Sequence, residues 1–137
     1  MSLFKVFDVA GSGMSAQTLR LNTIASNLAN ANNVSGDASK VYKARQPVFA
    51  TMLDNVQEGQ GAAGVQVLGV IEQQTPPIKS YEPGNPLANE QGFVFRPNIS
   101  PVGEMANMIS ASRTFQNNVE VLNTTKQLLL ATVRLGE

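Results

Sequence analysis

The side chains that most often carry chemistry are missing: the chain has no His and no Cys. That excludes the usual zinc sites, cysteine nucleophiles and Ser–His relays. Gly11-Ser12-Gly13 is not a phosphate loop, because no GKS or GKT follows it and no strand precedes it. The ten acidic residues are scattered and repeat at no calcium-binding spacing. Glu82 and Glu90 have the types of a glycosidase pair, but solvated loop carboxylates are the commoner reading. Met14, Met105 and Met108 suit adaptable packing better than metal binding. Lys126 is either a register-setting polar residue or a stem that packs while its ammonium reaches the edge. The expectation is a protein that is not an enzyme and holds no metal or cofactor.

Ten Lys and Arg balance ten Asp and Glu, and charged residues are 15 % of the 137. Soluble proteins typically have about 25 %. A neutral chain without a basic run is a poor nucleic-acid binder, since phosphate contacts supply most of that affinity. No stretch is apolar enough to span a membrane or act as a signal peptide. The chain is expected either to stay in the cytoplasm or to leave by a route that reads no cleaved signal. Its polarity is carried by amides and hydroxyls. Between Met14 and Asn33 the only charge is Arg20, among Gln17, Asn22, Ser26, Asn27, Asn30, Asn32 and Asn33. Neutral amides are buried at far lower cost than charges when they find partners. Asn22, Asn27 and Asn30 are therefore expected on a face that meets a further layer of protein. Chance composition on a wet surface is the alternative.

Two long helices must position this face. From Pro101 to Arg134 the positions Met105, Met108, Ser112, Phe115, Val119, Leu122, Lys126, Leu129 and Val133 step by threes and fours, the spacing of a coiled-coil seam. Ser100 is a good N-cap with Pro101 in the first turn, and Gly136 reads as a stop. From Met1 to about Asn33, Phe7, Met14, Leu21 and Leu28 recur every seven residues. Leu3, Ala10, Ile24 and Ala31 fill the stripe, with Gln17 its polar exception. Gly11 and Gly13 each cost up to about 1 kcal/mol in a helix. They mark a kink, a helix that begins near Ser12, or the close approach of a neighbouring backbone.

Between the helices lie turn formers at 33–40 and a strand at Val41–Ala50 that Pro47 confines to an edge or bulge. An ambiguous stretch at 51–60 and a glycine loop at 59–64 come next. The best strand is Val65–Ile71. A proline-rich segment, Thr75–Pro86, has a tight turn at Pro83-Gly84-Asn85, and a third strand spans Gly92–Arg96. The expected fold is α+β. Long terminal helices, residues 1–33 and 101–137, pair as an antiparallel coiled coil, with a small β-rich middle region at 34–100. Ile109, Val121, Leu128, Leu130 and Ala25 fall off the seam and ask for neighbours outside that pair.

Asn22-Thr23-Ile24-Ala25-Ser26-Asn27-Leu28-Ala29-Asn30-Ala31, followed by Tyr42-Lys43-Ala44-Arg45, resembles the N-terminal motif of bacterial flagellar rod and hook proteins. Pro97-Asn98-Ile99, Glu104-Met105, Met108-Ile109, Arg113, Phe115-Gln116 and Asn118 resemble their C-terminal motif. The proximal-rod members are the most similar, through Tyr81 to Ala88, Val121 to Lys126 and Leu135-Gly136. The stretch Val34 to Val41 is longer than in hook and distal-rod relatives. Phe115 stands where many members have Tyr.

The resemblance implies a structural subunit of the basal-body rod, assembled axially into a helical tube that transmits torque and surrounds the export channel. It implies as partners copies of the chain, other rod proteins, the membrane-ring adaptor and the flagellar type III export apparatus. It also implies a place in the rod across the periplasm, reached without a cleaved signal. A soluble helical-hairpin adaptor or chaperone is the alternative. A membrane-surface helix at 3–28 lacks the Lys and Arg it would need.

Overall fold

The computed structural model describes residues 3–53 and 62–136. Helix α1 runs from Leu3 to Asn30, followed by a single 3-10 turn at Ala38–Lys40. Strands β1 (Arg45–Leu53), β2 (Ala62–Glu72), β3 (Ile78–Tyr81) and β4 (Phe93–Arg96) precede helix α2, Pro101–Leu135. The strands form two sheets of two, β1 with β2 and β3 with β4. The class is thus α+β.

The ends of the elements follow from local chemistry. Ser100 accepts from the Gly103 N–H at its hydroxyl, 3.2 Å, and from the Glu104 N–H at its carbonyl, 2.9 Å, which starts α2. Glu104 lies in the first turn and Arg134 in the last, each on the side the helix dipole favours. Asp37 caps the 3-10 turn by accepting from the Ser39 N–H and hydroxyl at 2.9 and 2.7 Å. Those bonds hold its carboxyl below the usual range. Helix α1 is continuous through Gly11 and Gly13. A side chain at Gly13 would lie 3.0 Å from the amide nitrogen of Asn118, whereas Gly11 has nothing within 4 Å. The close approach is therefore made by a side-chain amide and at one glycine only.

The chain divides into two compact units. One gathers Met1–Leu21, Pro47–Gly69 and Ile109–Glu137, the other Asn22–Gln46 and Val70–Met108. In the first, β2 approaches α1 at Ser12, whose hydroxyl donates to the Val9 carbonyl at 2.8 Å and accepts from the Val65 N–H at 3.1 Å. In the second, β3 and β4 pair antiparallel with Ile78 opposite Arg96 and Tyr81 opposite Phe93. Ser35 adds a further bridge to Phe95. Val94 is fully buried in this unit. Strand β3 falls inside the segment expected only to be extended or turned, where the prolines mask four pairing residues. The turn beside it closes through the Asn85 N–H and the Glu82 carbonyl at 3.0 Å. Of the ambiguous stretch and glycine loop, residues 54–61 lie outside the described residues.

The expected coiled-coil pairing is corrected. None of Met105, Met108, Phe115, Val119, Leu122, Leu129 and Val133 is buried; Met105 is 49 % and Val133 64 % exposed. The buried residues of α2 are Ala111 and Thr125. Its least exposed heptad stripe is Glu104, Met108, Ala111, Phe115, Asn118, Leu122, Thr125 and Leu129. Every second member is thus Glu, Ala, Asn or Thr, one residue before Met105, Ser112, Val119 and Lys126. An apolar seam buries both heptad positions as knobs. Here contacts are made instead by an amide against glycine in the first unit (Asn118, Gly13) and by an amide against a carboxylate in the second (Asn27, Glu104). Hydropathy selects the larger apolar neighbours, and sterics select the small and hydrogen-bonding ones.

Candidate assembly surface

Helix α1 buries Ala10, Ala16, Thr23, Ile24 and Asn27, and Ala31 just beyond its end is buried too. Phe7, Met14, Leu21 and Leu28 are half-buried. The three amides expected to meet other chains take different places. Asn22 is exposed. Asn30 is occupied locally, donating to the Ser26 carbonyl at 2.8 Å and accepting from Asn33 at 2.7 Å. Asn27 is 2 % exposed and is used wholly inside the chain.

The Asn27 carboxamide makes four hydrogen bonds, the full number an amide side chain offers. Its nitrogen donates to the Arg45 carbonyl at 2.9 Å and to the Glu104 carboxylate at 3.0 Å. Its oxygen accepts from the Arg45 N–H at 2.9 Å and from the Tyr42 hydroxyl at 3.0 Å. A buried amide so satisfied is rigid, and an unsatisfied one would cost about 1–3 kcal/mol. Tyr42 also meets the Ser26 hydroxyl at 3.1 Å and lies under the Arg45 guanidinium, 5.7 Å from ring centre to cation. Arg45 in turn pairs with Glu72 at 3.3 Å, both half exposed. Beside this hub Asn22, Thr23, Ser26, Arg45, Val70 and Glu72 line an open depression of about 460 Å³. Tyr42, Arg45 and Glu104 belong to the segments that carry the family resemblance, yet nothing in their spacing assigns them to Asn27.

Glu82 is no half of a carboxylate pair. It accepts from Asn85 at 3.0 Å, Ser80 at 3.2 Å and Arg96 at 2.7 Å. The Asn85 bond, with smaller help from Arg96 and Ser80, holds its carboxyl below the usual range. Among the described residues no group of acidic side chains is placed to hold a metal ion. None of the described helices is long and apolar enough to cross a membrane.

What α2 does present is apolar surface. Val102, Met105, Ile109, Val121, Leu128, Leu130, Val133 and Leu135 are all exposed, Leu135 at 89 %. Every residue from Leu130 to Gly136 is exposed. So many large apolar side chains left to water on one helix is the pattern of a surface that meets other protein.

Residues 7–36 match the family described as "Flagella basal body rod protein", and residues 90–135 match "Flagellar basal body rod FlgEFG protein C-terminal". The chain is 50 % identical to the flagellar basal-body rod protein FlgC of Salmonella typhimurium over all 137 residues of both. It is 51 % identical to that of Escherichia coli O157:H7, again over the whole of each chain. With the FlgC of Aquifex aeolicus it shares 39 % over 129 residues, 93 % of this chain and 92 % of that one. End-to-end similarity to rod proteins leaves no support for a cytoplasmic adaptor or chaperone. The chain belongs to the FlgC family of flagellar basal-body rod proteins, and its role is that of a structural rod subunit rather than an enzyme.

Proposed function

We propose that the chain is a subunit of the proximal rod, stacking axially with copies of itself and with other rod proteins. Head-to-tail contacts that do not close generate a helical tube. Such a tube encloses the export channel and passes torque through many packed contacts. The observation that carries this reading is the number of exposed apolar residues on α2, foremost the heptad pairs Val102 with Ile109 and Val121 with Leu128. Met105 and Val133, exposed in the single chain, belong to the same contacts. Asn22 is the amide left to meet a neighbour.

The membrane-ring adaptor and the type III export apparatus complete the proposed partners, with export lacking a cleaved signal and a final place across the periplasm. Before assembly the outer turns of both helices are expected to be poorly ordered, since their apolar faces have nothing to pack on. Circular dichroism of the purified chain, compared with the fully helical ends, checks this. Ile109→Asp tests assembly: the variant should be exported normally yet missing from purified basal bodies. Normal incorporation would remove α2 from the contact surface.

A further inference from the structure

Asn27 and Arg45 face each other as two peptide groups would. The Arg45 N–H donates to the Asn27 oxygen and the Asn27 nitrogen donates back to the Arg45 carbonyl, each at 2.9 Å. This two-bond exchange is that of a hydrogen-bonded pair in an antiparallel ladder, with a side-chain amide replacing one strand. It sits on the first residue of β1. One residue earlier the Ala44 carbonyl already accepts from the Gln73 N–H at 2.7 Å. The amide therefore seats the chain where it turns from linker into sheet.

Only one orientation of the carboxamide works, because a flip would set donor against donor and acceptor against acceptor. Two outside groups reach the amide. The Tyr42 hydroxyl can donate or accept, so it adapts to either orientation. The Glu104 carboxylate can only accept, so it selects the nitrogen. We propose that Glu104 is a positioning residue: it sets the orientation of the Asn27 amide and, through it, the point at which the chain enters β1. Glu104 lies 77 residues beyond Asn27, while Tyr42 and Arg45 lie within 18. The last of the amide's four hydrogen bonds is thus made only when the first turn of α2 is seated.

The test uses the full-length chain in a strain lacking its own copy, read as the amount in purified basal bodies relative to the amount exported. The wild-type chain in that strain is the separate control on the rod reading. Asn27→Asp removes both donors and sets two carboxylates against each other, so incorporation should fall at least about tenfold. Asn27→Asp combined with Glu104→Gln rebuilds the link with its polarity reversed, the new amide donating to the new carboxylate. It restores the link to residue 104 but not the donor to the Arg45 carbonyl, so it should recover part of that loss although it carries one more substitution. Glu104→Gln alone keeps an acceptor and should incorporate better than Glu104→Ala. A double variant no better than Asn27→Asp alone, or Glu104→Ala incorporating like the wild type, would overturn the proposal.

Discussion

Arg96, the last residue of β4, reaches the carboxylate of Glu82, just beyond β3, at 2.7 Å. The same carboxylate accepts from Asn85 and Ser80, so one acidic side chain ties the open end of the hairpin to its turn. Because these bonds favour the ionised form, the folded carboxyl titrates below the unfolded one. Its stabilising contribution is fully present above the unfolded value and is lost as pH falls through the folded value. Acid titration below about pH 4 should therefore loosen the β3–β4 hairpin. Asn85→Ala should move the Glu82 titration, followed by NMR, up toward the ordinary glutamate value. An unchanged midpoint would show that Asn85 does not set it.

The two glycines of α1 should behave differently. Gly11→Ala meets nothing and should stabilise by up to about 1 kcal/mol, the helix-propensity difference. Gly13→Ala places its methyl 3.0 Å from the Asn118 amide, which must swing aside, so its gain should be smaller. Adding Asn118→Ala should bring the two glycine positions level. Urea midpoints of the single and double variants measure this coupling.

Gly64 has φ +149° and a side chain there would lie 2.6 Å from the Ser12 hydroxyl. Gly64→Ala should destabilise by about 1–3 kcal/mol, through backbone strain and loss of the Val65–Ser12 bond. Ser12→Ala in the same background should give part of that back. Thermal melting of the three variants reads the outcome.

Much of this was legible in residue order. Ser100-Pro101 and Gly136 bracket α2, and the family resemblance rests on Asn22 to Arg45 and Pro97 to Asn118. Two things were not. Hydropathy placed the α2 stripe on Met105 and Val119, because a periodic search rewards apolar residues, whereas the structure uses Glu104 and Asn118, whose value is a hydrogen bond or a small cross-section. For the same reason a Leu122→Ala loss should fall below the 2–5 kcal/mol of a buried leucine, since Leu122 is only half-buried. The inward use of Asn27 was also hidden: its partners are 15, 18 and 77 residues away. An exposed amide and a fully bonded one look alike in a sequence.

In the proposed assembly the exposed apolar residues of α2 form the contact surface. The chain has no cysteine, so a single Leu128→Cys gives an unambiguous probe. Leu128 is 54 % exposed in the single chain. Maleimide labelling should be fast on the purified subunit and at least about tenfold slower in purified basal bodies, where neighbouring subunits cover the position. Equal labelling in both would contradict assembly through this face.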